Sequence, residues 1–322
     1  MQNISDVSVW IGFSIFVVIA LSIDTFLLGK NSSRGPHSSM RASLYWTLLW
    51  IFSALLFNGI LWIYLYFTTD LIVANQKDLD FLAGYLIEKS LSVDNLFTFY
   101  MIFHQFRIPI PYQQRVFAYG IWSAIVFRLI LILLGTWLVG RFHWVLYLLG
   151  AFLIVTGVKM ILFEKQEKDL AAGFTFQLIR RFFRVSEELH GHQFFIKKNH
   201  VIYITRLFVA LVFIEISDII FAFDSIPAIF AITHDPFIVW TSNIFAILGL
   251  RALYFLLAGM VDRFHLLKYG IAIILVFVGV KMLLEPILPI STLFSLGIVI
   301  GILLSFILIS IFFHEKHSHP GK

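Results

Sequence analysis

The chain has 322 residues, of which 60% are hydrophobic and only 13% are charged, and its mean hydropathy is +0.90. A soluble domain is rarely more than about half apolar, so this composition indicates a membrane protein. The sequence contains no cysteine, which excludes disulfides, thiolate metal sites and thiol redox chemistry. The net charge of +5 lies in the predicted loops, where it reflects membrane topology rather than binding to nucleic acid.

Apolar runs of about 20 residues, the length that a helix needs to cross a bilayer, recur along the whole chain. They predict an all-α, polytopic membrane protein that forms a single integral membrane domain over residues 1–322. We expect about nine transmembrane helices, whose predicted bounds are 7–29, 43–67, 81–103, 116–139, 143–163, 201–232, 237–260, 266–285 and 292–313.

The longest predicted loop, 164–200, determines the expected orientation. It carries a cluster of lysines and arginines, namely Lys165, Lys168, Arg180, Arg181, Arg184, Lys197 and Lys198. Cytoplasmic loops carry the excess of basic residues, so we expect this loop in the cytoplasm. Alternation of the spans then puts the N-terminus outside and the C-terminus in the cytoplasm.

Two stretches of the sequence resemble each other. Residues 140–162 (GRFHWVLYLLGAFLIVTGVKMIL) match residues 262–284 (DRFHLLKYGIAIILVFVGVKMLL) at an offset of 122, since 262 − 140 = 122. Spans three to five therefore repeat as spans six to eight, giving unit A at about 81–163 and unit B at about 201–285. A unit with an odd number of spans inserts its second copy upside down, so the pattern predicts an inverted repeat of three-helix units.

Six carboxylates lie inside apolar spans, although each ionised group costs roughly 2.5–3.5 kcal/mol there. Two motifs, EKSLSVDNLF (88–97) and EISDIIFAFDSIPA (215–228), carry five of them. The spacing is the same in both motifs, because 94 − 88 = 224 − 218. The full set is Asp24, Glu88, Asp94, Glu215, Asp218 and Asp224.

Acidic groups outnumber the basic ones at membrane depth, where Arg128, Arg251 and Lys89 are the candidate partners. The excess negative charge must be balanced by protons or by a bound cation. The available ligands are all oxygens, because Asn95 and the hydroxyls of Ser92, Ser217 and Ser225 accompany the carboxylates. Oxygen ligands suit Mg²⁺, Ca²⁺ or Mn²⁺ rather than copper or zinc.

Helix geometry leaves two arrangements open. At about 100° per residue, a six-residue gap places Asp94 and Asp224 on a different face from Glu88 and Asp218. Either the two positions have different roles, or the helix breaks between them, for which Pro227 is the candidate. A second interpretation is that the acids only lock helices together by pairing with the buried bases. For Glu215, a proton-carrying role, a structural hydrogen bond and direct metal ligation all remain open.

The two acidic motifs resemble those of the TerC family of bacterial integral membrane proteins, and the nine-span layout is most similar to its Alx-type members. The resemblance covers about residues 8–313. It implies an inner-membrane metal-ion transporter that exports manganese, with looser links to tellurite resistance and the alkaline response. Manganese comes from the resemblance alone. The implied metal-site residues are Asp24, Glu88, Asp94, Asp218 and Asp224, with Asn95 and Ser225 beside them.

The sequence thus predicts a secondary transporter that exports a hard divalent cation, most consistent with Mn²⁺, through a carboxylate site at mid-membrane, with protons as the candidate exchange partner. The alternative is a metal-sensing or stress-response membrane protein that binds cations without transporting them. We expect no permanent cofactor, no nucleic-acid partner and no enzymatic activity, since neither a phosphate-binding glycine loop nor a soluble catalytic domain is present.

Overall fold

A computed structural model describes residues 6–30, 36–142, 144–162, 181, 185–186, 191, 193–198, 201–258, 266–284, 287–288 and 290–317. Within these ranges, the side chains of residues 24–30, 36–40, 94, 97, 198, 224 and 311–317 are not described.

Helices make up almost all of the described chain. In chain order they are α1 (Val7–Lys30), α2 (Pro36–Thr68), α3 (Leu71–Gln105), α4 (Ile110–Arg141), α5 (Trp144–Leu162), α6 (Arg206–Phe230), α7 (Pro236–Ile247), α8 (Leu250–Ala258), α9 (Leu267–Leu284) and α10 (Thr292–His317). A short antiparallel hairpin of β1 (Phe195–Lys198) and β2 (Val201–Ile204) precedes α6.

Six stretches of the described chain are long and apolar enough to cross a membrane, so the prediction of an all-α, polytopic membrane protein is confirmed. They are Arg41–Thr68, Ile110–Arg141, Trp144–Leu162, Pro236–Ala258, Leu267–Leu284 and Thr292–Ser310. The α7–α8 stretch is 72% buried inside the protein, whereas the α10 stretch is only 17% buried. The broken helix α7–α8 therefore lies at the centre of the bundle, and α10 lies at its edge.

Helix α3 begins ten residues before the predicted span at 81–103. Asp70 caps its first turn, because its side chain accepts a hydrogen bond from the backbone N–H of Val73 at 2.8 Å. The segment before residue 81 is thus helical rather than a loop, and it places Lys77 and Asp80 on α3.

The predicted start of the sixth span, at residue 201, is also wrong. Residues 201–204 form β2, which pairs with β1 in the register Phe195↔Ile204. The segment VIYI is rich in β-branched and aromatic residues, which favour a strand. Thr205 then caps α6 by accepting a hydrogen bond from Phe208 N at 3.4 Å. Most of the predicted cytoplasmic loop 164–200 lies outside the described residues.

The helix break that Pro227 suggested is not present. Helix α6 continues through Pro227 to Phe230, because a proline one turn from the end of a helix removes only one backbone bond. The interruption occurs in the next span, predicted at 237–260, where Leu248 and Gly249 separate α7 from α8. Gly249 has φ of +81°, a conformation that side-chain-bearing residues rarely adopt.

Helices α5 and α9 cross closely through small residues. A Cβ atom built on Gly157 would lie 2.6 Å from the Ala272 carbonyl oxygen, and one built on Gly279 would lie 2.6 Å from the Gly150 carbonyl oxygen. The contacts 150–279 and 157–272 run in opposite directions along the two helices, so α5 and α9 pack antiparallel. Small residues are what allow two membrane helices to approach this closely.

We expect Gly157→Ala to destabilise the protein by about 1–3 kcal/mol, because the new methyl group meets backbone atoms that cannot move away. Unfolding in detergent micelles measures the change. The control is Gly301→Ala on the exposed face of α10, where a Cβ meets nothing within 4 Å. That variant should be unchanged or stabilised by about 0.5–1 kcal/mol. Equal effects of the two substitutions would contradict the close α5–α9 crossing.

Candidate functional site

Four helices meet around the guanidinium of Arg128. This side chain of α4 forms an ion pair with Glu88 of α3 through Nη1. The same nitrogen donates to the Asn243 side-chain oxygen of α7 at 2.8 Å, and Nη2 donates to Asp218 Oδ1 of α6 at 3.2 Å. One side chain thus connects α4 to three other helices.

The position of Arg128 in α4 explains why its charge is compensated by other side chains inside the protein. It shares one helix face with Ile121, Ile125 and Ile132, which are all buried. The Arg128 side chain is only 1% exposed, and the Glu88 side chain is fully buried. A charge in such a position is retained only when an opposite charge and hydrogen bonds compensate it.

Two carboxyl groups therefore share this single guanidinium. The second carboxylate oxygen of Glu88, Oε2, is buried and has no hydrogen-bond partner among the described residues. The hydroxyl of Ser225, on α6, is also buried without a partner there. Unsatisfied buried oxygens of this kind are rare and call for an explanation.

Glu215 lies one helical turn before Asp218 on α6 and also faces α4. Its Oε1 accepts a hydrogen bond from the Ser123 hydroxyl at 2.6 Å. Gly120 makes room for this carboxylate, because a Cβ atom there would lie 3.2 Å from Oε1. The structural hydrogen bond considered for Glu215 is therefore present. Its other oxygen, Oε2, is buried without a partner in the described structure.

The remaining predicted site residues divide into two groups. Asn95 on α3 and Ser225 on α6 are buried inside the bundle, as the prediction required. Asp24, Asp94 and Asp224 lie on α1, α3 and α6, but their side chains fall outside the described ones. Among the side chains that are described, no group of three or more acidic or histidine residues could hold a metal ion. Metal ligation by the predicted set therefore stays a prediction.

Two of the acids do pair with a buried base, as the second interpretation requires, because Glu88 and Asp218 both contact Arg128. The interpretation that the acids have no other role stays a hypothesis. Lys89, another base that was expected to pair with an acid, contacts the backbone. Its ammonium donates to backbone carbonyl oxygens at the end of α7, at 3.1 Å from Ala246 and 3.5 Å from Leu248.

Sequence reasoning missed Asn243, which is fully buried. Its side chain accepts from Arg128 and donates to the Val239 carbonyl at 2.9 Å. The signal was the polar triplet Thr241-Ser242-Asn243 inside an apolar span, whereas the predicted site includes uncharged polar residues only where they belong to the two acidic motifs.

A second buried ion pair was also missed, 2.7 Å long, between Lys77 of α3 and Asp235, the cap of α7. Lys77 had been assigned to a loop because the start of α3 was placed too late. Asp80, one turn further along α3, is likewise buried and accepts from the Thr292 hydroxyl at 3.3 Å.

Comparison with known proteins identifies the family. The model of the integral membrane protein TerC family matches residues 73–318. The chain belongs to the TerC family. It is 46% identical over 318 residues to a protein of Escherichia coli (strain K12) named "Putative membrane-bound redox modulator Alx", with 98% of each chain covered.

Other relatives cover nearly as much. The protein of the same name from Photorhabdus laumondii is 44% identical over 315 residues, again with 98% of each chain covered. An "Uncharacterized membrane protein STKORF319" from Myxococcus xanthus is 43% identical over 302 residues, which is 94% of this chain and 91% of that protein. No solved structure matches. The predicted resemblance to the TerC family, and to its Alx-type members, is confirmed.

Replacing Arg128 in this TerC protein should be strongly destabilising. We expect Arg128→Met to cost about 3–5 kcal/mol, because it leaves Glu88 and Asp218 buried without their counter-charge. Unfolding in detergent micelles measures the loss. Arg141→Met, at the exposed end of α4, is the control and should stay within about 0.5 kcal/mol of wild type.

A double variant separates the charge effect from lost packing. Adding Glu88→Gln to Arg128→Met should restore part of the lost stability, since it removes one of the uncompensated charges. Additive losses in the double variant would contradict direct coupling between the two side chains.

Proposed function

We propose that this TerC protein is a secondary transporter that exports a hard divalent cation, principally Mn²⁺, across the bacterial inner membrane. The observation that carries the proposal is a set of buried oxygens, on Glu88, Glu215 and Ser225, that have no hydrogen-bond partner within the described part of the chain. Together with the two carboxylates that share one guanidinium, they give the interior several oxygens that could bind a cation. A cation passing through would supply the contacts that these oxygens lack.

The donor set supports a class of cation rather than one element. Carboxylate, amide and hydroxyl oxygens are the ligands of Mn²⁺, Ca²⁺ and Mg²⁺. We assign Mn²⁺ from the family resemblance and treat it as a substrate, not as a resident cofactor. Protons are the proposed exchange partner, because neighbouring acids that lose a bound cation are expected to take up protons.

An inverted repeat is part of the proposal, and two contacts support it. At the offset of 122, Gly150 corresponds to Ala272 and Gly157 corresponds to Gly279. Swapping the two units therefore turns the contact 157–272 into the contact 279–150, which is the other close contact between α5 and α9. The second contact is Arg128 of unit A with Asp218 and Asn243 of unit B. The candidate site would thus lie where the two units meet, as in many secondary transporters. We assign nine spans: α1 to α6, the pair α7–α8, α9 and α10.

Polar contacts at the two ends of the bundle support the proposed alternation of spans, and the positive-inside rule then assigns one end to the outside. Segments expected outside the cell contact one another, through Tyr64–Asp6, Asn58–Asp78, Lys77–Asp235 and Thr292–Asp80. Segments expected in the cytoplasm do the same, through Tyr254–Gln113 and Thr205–Gln193. The alternation of nine spans with the N-terminus outside is consistent with both sets.

The Alx relatives carry a name that describes redox modulation. This chain has no cysteine and therefore no thiol couple of its own. We propose that a redox effect, if this chain has one, arises from the metal ion that it moves rather than from chemistry on its side chains. A cation-binding sensor that transports nothing is the rival, and flux measurements separate the two.

We expect Asp94→Asn, Asp218→Asn and Asp224→Asn each to lower Mn²⁺ flux into proteoliposomes by more than about tenfold, as loss of a metal-site group does. An internal pH dye reports the exchanged protons. Asp70→Asn is the matched control, because asparagine caps α3 as well as aspartate does. Wild-type flux in all three variants would refute the site, and Mn²⁺ binding without flux in the wild type would favour the sensor.

The absence of cysteine makes the orientation directly testable. Gln76 and Gln193 are exposed at opposite ends of the described bundle. We expect Gln76→Cys to react with a membrane-impermeant maleimide in intact spheroplasts, and Gln193→Cys to react only after lysis. The unmodified chain, which has no thiol, gives the background. The reverse pattern would overturn the assignment of the N-terminus to the outside.

A further inference from the structure

The break between α7 and α8 exposes backbone carbonyls at the centre of the bundle. Leu248 closes α7 by donating its N–H to the Ile244 carbonyl at 2.8 Å, and Gly249 then turns the chain with φ of +81°. The carbonyls of the last turn of a helix have no partner within the helix. They also form the negative end of its dipole, which favours a cation.

A positive charge already lies at this end of α7. The ammonium of Lys89, from α3, is 3.1 Å from the Ala246 oxygen and 3.5 Å from the Leu248 oxygen. On the other side, the ring of Trp50 packs directly on Gly249, since a Cβ built there would lie 2.7 Å from Trp50 Cδ1. The break is therefore enclosed by side chains from α2 and α3.

The repeated sequence provides an internal comparison. At the offset of 130 that relates Glu88 to Asp218, the residue corresponding to Lys89 is Ile219. The helix of unit A that corresponds to α7–α8 is α4, which is unbroken from Ile110 to Arg141. Unit A, whose helix α3 contacts the broken helix α7–α8, thus has a lysine at this position. Unit B, which contacts the unbroken helix, has an isoleucine there.

We propose that the α7–α8 break is a monovalent-cation site that the chain fills with its own Lys89 ammonium. Carbonyl oxygens at the end of a half-helix bind Na⁺ or protons in secondary transporters. An ammonium is a compact charge with three N–H donors, so it supplies the same charge and satisfies the carbonyl oxygens through hydrogen bonds instead of coordination.

The consequence for transport rests on the proposed function. With a tethered ammonium at the break, movement of the divalent cation needs no dissolved monovalent ion at this position. Lys89 is a positioning residue in this scheme, because it stabilises the broken helix rather than contacting the divalent cation.

Removing the side chain should convert the break into a site for a dissolved cation. Lys89→Ala protein, purified in detergent, is heated in equal concentrations of ammonium, sodium or choline chloride. We expect ammonium to raise the Tm of Lys89→Ala by about 2–4 °C over choline, the shift that saturation of one site produces. Choline is too large for the site and controls for ionic strength. Sodium reports whether the vacated carbonyls also accept a metal ion.

Two comparisons make the result decisive. Wild type and Lys159→Ala, which lacks an exposed lysine of α5, should show no ammonium-specific shift. An equal shift in all three proteins, or none in Lys89→Ala, would overturn the proposal and leave Lys89 as a simple cap of α7. If Lys89→Ala is too unstable to purify in choline, recovery in ammonium alone supports the site, and recovery in neither salt overturns it. Because this experiment measures Tm and not transport, its result does not depend on whether the protein moves Mn²⁺.

Discussion

Arg128 lies on the buried face of α4 and its side chain is almost fully buried, so its charge must be compensated inside the protein. Glu88, Asp218 and Asn243 meet it from three other helices. Removing two carboxylates from water is costly, and only a hydrogen-bonded counter-ion makes their burial tolerable. The geometry of the candidate site therefore depends on this side chain. Because one guanidinium faces two carboxylates, the arrangement holds the helices together and leaves Glu88 Oε2 without a hydrogen-bond partner among the described residues.

The sequence predicted the parts of this arrangement that depend on charge in an apolar run. Ionised residues are so unfavourable in hydrocarbon that Glu88, Asp218 and Arg128 had to meet polar groups inside. It could not predict Asn243, since an uncharged amide tolerates several environments and carries no comparable signal. The start of α3 was predicted too late for a similar reason. Lys77 and Asp235 neutralise each other across two helices, and a long-range ion pair leaves no trace in local composition.

The position of the break between α7 and α8 could not be predicted from the local sequence either. Proline was the expected breaker, yet Pro227 lies too near the end of α6 to interrupt it. The break required a residue that tolerates positive φ, together with partners for the freed carbonyls. Gly249 meets the first requirement and Lys89, distant in sequence, meets the second. Neither residue indicates a break on its own, so only the folded chain reveals why the two occur together.

The contacts between the two units limit how the protein could alternate between open states. In the proposed transporter, the two repeat units are joined at the centre of the bundle by Arg128 and by the small-residue crossing of α5 with α9. At the proposed outer end, the Lys77–Asp235 ion pair joins the first turns of α3 to the start of α7. If the units rock about the central contacts, the guanidinium keeps its partners while the outer pair separates. Opening to the outside would then require breaking a buried ion pair, which costs several kcal/mol unless water enters as the charges part. Under the proposed function and orientation, the described conformation, with that pair intact, is one in which the outer end is closed.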